Sequence, residues 1–191
     1  MTVPLIEPDV LQATLDRALY RGGDFAEVFV EDRRSSSGRF DDGRIEELVS
    51  GRDRGAGLRV VRGDTTGFAH TADLSPEGLA AAAEAAAGAA RGGRGGSRAV
   101  TLEPTSAHPV DAGAVLPETV EKGRKVELLA RADAAARATG SAVTSVTASY
   151  ADARRRILVA NSDGLLADDD RVRTRISVQC VATGDTGMQT G

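Results

Sequence analysis

Between residues 172 and 182 apolar and polar side chains alternate. Val172, Thr174, Ile176, Val178, Cys180 and Ala182 fall on one side; Arg173, Arg175, Ser177, Gln179 and Val181 fall on the other. A period of two is that of a half-buried β-strand. Gly184 and Asp185 then supply turn chemistry, and a second arm from Thr186 reaches Gly191 after about five residues. An arm that short leaves backbone groups of the longer strand unpaired, so the chain is expected to be the front portion of a longer protein.

Upstream the period changes several times. Val10, Leu11, Leu15, Ala18 and Leu19 recur at helical spacing behind Pro8, predicting a helix over residues 8–20 with Gly22 near its C-cap. A strand follows, with Ala26, Val28 and Val30 on one face and Phe25 and Phe29 on the other. Asp-Gly at 42–43 marks a hairpin turn. "IEELVSG", "GAGLRVVRG" and "TTGFAHT" read as successive strands, with bends or bulges at Gly51, Gly55 and Gly57. Ser75 and Pro76 open a second helix as N-cap and first residue. Residues 91–117 lose periodicity and read as a linker. A third helix is predicted over 118–138, with Val120, Val126, Leu129, Ala132 and Ala136 as its stripe. Three extended runs follow at 142–150, 157–161 and 172–182, with "ARRR" and "NSDG" as turns between them. The fold class is α+β: two modules, each a helix packed on an antiparallel β-meander. Their expected bounds are 1–90 and 118–191, joined by the linker 91–117, with the second module truncated at its C-terminal end.

Composition narrows the function classes. Aromatics make up only 3% of the chain, so Val, Leu, Ile and Ala must build the core. A net charge of −4 lacks the basic excess of a general nucleic-acid binder. The single cysteine, Cys180, excludes an intrachain disulfide. No basic segment followed by an apolar run opens the chain, and no run approaches the roughly 18 apolar residues of a membrane span. A soluble cytoplasmic protein, engaging neither nucleic acid nor membrane, is the expectation.

Candidate chemistry is sparse. Zinc needs several converging His, Cys or carboxylate ligands, and the two histidines, His70 and His108, stand far apart in sequence with no Glu after either. Each reads as a solvated or hydrogen-bonded side chain, and Cys180 as an inert core thiol. "RGGRGGSR" at 91–98 has no interleaved aromatic to stack on bases and reads as linker. Asp168–Asp170 lack the spaced ligands and glycine of a calcium loop and read as an exposed turn or strand start. Arg154–Arg156 read as a solvated hairpin tip. "GDTTG" at 63–67 lacks the Gly-Lys-Ser/Thr ending of a phosphate loop. No catalytic residue, no metal ligand and no cofactor is assigned, and the binding residues stay open.

Three stretches taken together carry a resemblance: "GGDFAEVFVEDR", "DDGRIEELVSGRDRGAGLRVVRGDTTGFAHTADLS" and "RRRILVANSDGLLADDDRVRTRISVQCVA". As an ordered set they resemble the first and central domains of the TldD/PmbA family, the TldD side more than the PmbA side. The resemblance implies zinc metallopeptidases that act as TldD–TldE heterodimers on unfolded or modified peptides and have been linked to modulation of DNA gyrase. It also implies a His-Glu-x-x-x-His zinc motif and a later cysteine ligand, both downstream of the matched region. This chain has neither, so Cys180 is not equated with that ligand and no catalytic role is carried over. The expectation is a non-catalytic front portion, inactive alone, that helps form the substrate cleft and the contact with a TldE/PmbA-like subunit. The alternative is a free-standing binding or scaffold module with no metal site.

Overall fold

The computed structural model describes residues 4–91, 101–105, 115–185 and 187–191. His108, and the linker expected over 91–117 apart from its ends and residues 101–105, lie outside them. The elements run α1 (Pro8–Leu19), β1 (Phe25–Asp41), β2 (Arg44–Arg62), β3 (Thr65–Thr71), α2 (Pro76–Ala89), β4 (Glu103–Pro104), α3 (Lys122–Arg137), β5 (Val143–Asn161), β6 (Leu165–Gly184) and β7 (Gly187–Thr190). The strand order is β3-β2-β1-β5-β6-β4, and β7 pairs with β6. The sheet is antiparallel except for the two residues of β4, which run parallel to β6. The fold is α+β, as the alternating patterns imply.

Two compact units are discontinuous in sequence. The first comprises Met1–Arg33, Asp53–Val110 and Arg155–Asp170; the second comprises Arg34–Arg52, Asp111–Arg154 and Arg171–Gly191. The cause lies in strand length. β1, β2, β5 and β6 contain 17, 19, 19 and 20 residues, against a usual strand of about five or six, and each contributes to both units.

In the first unit α1 and α2 cover one face of the sheet. Leu11, Leu15 and Leu19 from α1, Leu79 and Ala83 from α2, and Ala26, Val28, Val30, Leu58 and Val60 from the strands form one buried cluster. The alternation of β1 is obeyed: Ala26, Val28 and Val30 are fully buried, and Phe29 on the opposite face is exposed. Leu158 and Ala160 of β5 complete this cluster. The register there is set partly by Ser162, whose hydroxyl accepts the Ala26 N–H at 3.1 Å across 136 residues of chain, while its own N–H donates to the Ala26 carbonyl at 2.8 Å.

Ser75 caps α2 by accepting the Gly78 N–H at 3.1 Å, with Pro76 behind it. Replacing Ser75 with Ala leaves that donor without its partner and should lower stability by about 1 kcal/mol. A urea midpoint unchanged from the parent would show that the cap contributes nothing.

In the second unit α3 lies over β1 and β5. Leu129 packs with Phe40, Ala148 and Tyr150, and Leu128, Ala130 and Ala132 flank them. Asp42 and Gly43 form the two-residue turn between β1 and β2, with φ of +42° and +83°, the left-handed pair that matches hairpin twist.

Four expectations are corrected. β2 runs as one strand through Gly51, Gly55 and Gly57, and Gly57 pairs in regular register with His70. Residues 153–156 are not a turn: β5 continues through them to Asn161, and each arginine has a carboxylate partner. Asp168–Asp170 lie inside β6, which starts at Leu165. α3 begins at Lys122 rather than 118, after a short 3₁₀ turn at Pro117–Thr119, and its buried face is Lys125, Leu129 and Asp133. The β6 alternation does mark a strand, but Ile176 and Val178 are 44% and 39% exposed and Cys180 is only half-buried. The helix of that unit packs through Leu129 onto β1 and β5, so the described residues give those β6 side chains no apolar cover. The short β7 is paired over its whole length, Gly184 opposite Gly187 through Val181 opposite Thr190.

Candidate functional site

The most ordered polar chemistry lies in the second unit. In β5 the inward positions are Val146, Ala148, Tyr150 and then Asp152, so a carboxylate occupies the buried side of an alternating strand. In α3 the i, i+4, i+8 spacing places Lys125 one turn before Leu129 on the covered face. The two meet. Lys125 Nζ donates to Asp152 Oδ2 at 2.6 Å and to Ser36 Oγ of β1 at 2.7 Å. Ser36 Oγ in turn donates to Asp152 Oδ2 at 2.8 Å. The side chains of Lys125 and Asp152 are only 6% and 4% exposed.

Tyr150 joins the cluster. Its ring lies 5.4 Å from Lys125 Nζ, and its hydroxyl hydrogen-bonds Asp152. Burial and the neighbouring carboxylate push the phenol well above its ordinary range, so it stays protonated and serves as a donor. Burial also acts to raise the Asp152 carboxyl, but hydrogen bonds from Lys125, Tyr150 and Ser36, with the Lys125 charge, outweigh it and hold the group below 3.8. The arrangement is therefore a satisfied ammonium–carboxylate pair. An ammonium so held is no general base. The neighbour that accepts the Ser36 proton, Asp152 Oδ2, is also taken by Lys125 and belongs to a carboxyl held below its ordinary value, so it is a weak base for activating that hydroxyl.

A second ionic group sits at the β1–β2 turn of the same unit. Asp42 accepts from the Val146 N–H at 3.0 Å and from Arg137 at 2.5 Å. The backbone donor first, then Arg137, keeps this exposed carboxyl below its ordinary value. Arg137 also reaches Asp133, one turn back on α3, so the turn is tied to the helix through one guanidinium.

Sequence-based candidates are placed apart from this cluster. His70 is exposed at the end of β3 and lines a cavity of about 370 Å³ in the first unit with Phe29, Glu31, Asp53 and Gly57. Glu31 is held there in a bidentate pair by Arg155 at 2.9 and 2.8 Å. No group of three or more His, Cys, Asp or Glu among the described residues converges as a metal site. The donors among the described residues do not fit the zinc that the resemblance implies. No helix among the described residues is long and apolar enough to cross a membrane. Lys125, Asp152, Ser36 and Tyr150 were absent from the sequence candidates. The available signal was a charged residue in phase with buried apolar ones, Asp152 two beyond Tyr150 and Lys125 four before Leu129.

Fold and sequence together define a class, an α+β protein that matches the first and central domains of a family described as metallopeptidases. The PmbA/TldA metallopeptidase domain 1 matches residues 26–90 and the PmbA/TldA metallopeptidase central domain matches residues 116–191. This chain belongs to the PmbA/TldD family. It is 31% identical over 183 residues to the metalloprotease TldD homolog of Haemophilus influenzae, covering 93% of this chain and 37% of that protein. A metalloprotease of Methanothermobacter thermautotrophicus is 32% identical over 175 residues, 88% of this chain and 36% of that protein. The chain thus spans a little over a third of the length of these relatives. Two solved structures share the fold. A protein of Thermotoga maritima described as a modulator of a DNA gyrase has a TM-score of 0.76 at 16% identity, over 96% of this chain and 41% of its own. TldE from Thermococcus kodakarensis has a TM-score of 0.73 at 18% identity, over 94% and 40%.

Proposed function

We propose that this chain is the non-catalytic front portion of a TldD-like metallopeptidase acting on unfolded or modified peptides in the cytoplasm. Its part is to help shape the substrate cleft and the contact with a TldE/PmbA-like subunit. Residues 1–90 and 118–191 would serve as its two functional domains, joined through 91–117. The observation that carries this reading is the ordered pair of domain matches, together with relatives named metalloproteases that are more than twice as long as this chain. The fold shared with a TldE supports the choice of partner. Zinc and the water-activating Glu would come from sequence beyond the matched domains, because hydrolysis needs an open metal position and a base beside it.

The test is to read the gene past the codon for Gly191 and express the longest product with a TldE-like subunit. The expected result is a complex that cleaves an unfolded peptide, loses activity to a chelator and regains it with zinc, while the 191-residue chain is inactive. A stop codon at that point, or hydrolysis by the 191-residue chain alone, would overturn the reading in favour of a free-standing module.

A further inference from the structure

The Lys125–Asp152 pair forms one wall of a cavity of about 490 Å³ in the second unit, a volume typical of small-ligand sites. Arg34, Ser36 and Arg52 on the strands and Glu118, Lys122, Lys125 and Asp152 beside them line it. Four of these side chains are cationic and two are carboxylates. Both carboxylates are already engaged: Asp152 by Lys125 at 2.6 Å and Glu118 by Arg154 at 2.8 Å. Arg34 and Lys122 are exposed and make no ion pair among the described residues. The local balance is therefore positive although the chain as a whole is negative. α3 starts at this cavity, and its N-cap Glu121 makes no side-chain capping bond. Leading N–H groups of that helix thus add to the positive wall.

We infer that this cavity binds a peptide carboxylate. Arg34 would meet it with a planar fork of donors and Lys122 with a point charge. The Lys125–Asp152–Ser36 cluster is neutral as a unit, so Arg34 and Lys122 set the attraction for the ligand's charge, and phosphate is the competing anion that the titration tests. The carboxylate can come from a chain terminus or from an acidic side chain, since both present the same two oxygens. The inference rests on the reading that the protein handles peptides, and the choice of ligands below separates the two.

The experiment titrates the 191-residue chain at low salt with acetylated tetra-alanine, its C-terminal amide, the same amide carrying one Glu, and inorganic phosphate. The free acid should bind at least about tenfold more tightly than the plain amide, the scale of a charged hydrogen bond in a partly shielded site. The preference should weaken with added salt and vanish in the Arg34→Gln/Lys122→Gln double variant. Both replaced side chains are exposed, so far-UV circular dichroism should be unchanged. Tight binding of the Glu-bearing amide supports the inference with a side-chain source; weak binding of it supports the inference with a terminal source. Equal binding of free acid and plain amide overturns the carboxylate site and leaves the peptide reading standing. Phosphate binding with no peptide binding overturns both, and a preference that survives in the double variant overturns the assigned residues.

Discussion

Asp152→Asn should destabilise the protein by about 3–5 kcal/mol at neutral pH, because it strands the Lys125 ammonium in a site that gives it almost no water. Lys125→Met should cost a similar amount by stranding the carboxylate. The double variant removes both charges together. It should be no less stable than the worse single variant, giving a coupling energy of at least about 3 kcal/mol. Urea unfolding of the four proteins measures this directly. The pH dependence fixes the sign independently. The folded Asp152 carboxyl lies below its ordinary 3.8, so its contribution is fully present above that value and is lost as pH falls through the lower folded pKa. The deficit of Asp152→Asn should therefore be largest near neutrality and shrink in acid. Additive single effects below about 1 kcal/mol would mean that water reaches the pair and screens it.

Gly67→Ala should be nearly as damaging, at about 3 kcal/mol, the upper end of overpacking costs. A Cβ on Gly67 would lie 1.9 Å from the Ala86 carbonyl oxygen and 2.5 Å from the Ala90 nitrogen. Both atoms belong to the backbone at the end of α2, so neither can rotate away, and the helix must lift from β3. The control is Gly51→Ala, whose Cβ meets nothing within 4 Å and which should change stability by less than about 0.5 kcal/mol. Thermal unfolding followed by circular dichroism compares them. Equal melting temperatures for the two variants would refute the close approach of β3 to α2.

The elements whose patterns belong to one period were legible from residues alone. α1 ends one residue from its expected stop, and the Ser75–Pro76 start of α2 is where its cap chemistry places it. The misses share a cause. Gly51, Gly55 and Gly57 and Arg154–Arg156 carry turn-like or solvated character, yet β2 and β5 continue through them, Gly57 paired with His70 of β3 and β5 set between β1 and β6, and such pairing overrides local preference. In β5 the arginines stay extended because Glu118, Glu31 and Asp170 lie within reach of them, and partners 14 to 124 residues away leave no trace in a short window. The polar cluster was hidden in the same way. Lys125 on α3 and Asp152 on β5 each look like an ordinary surface charge until the fold brings them to 2.6 Å. For the carboxylate cavity, only the clustering of cations near 34, 52 and 122 was available, and nothing local joins those positions.

The bond pair between Ala26 and Ser162 has a consequence for synthesis. The first unit needs Leu158, Ala160 and Ser162 to complete its cluster and register, yet these residues are made 132 to 136 positions after Ala26. At about 5–20 residues per second, a ribosome takes roughly 7–27 s to cover that distance. Throughout that interval the cluster of Leu11, Leu15, Val28 and Val30 lacks part of its cover. Completion of the first unit in the nascent chain is therefore timed by the arrival of β5 rather than by the end of β3.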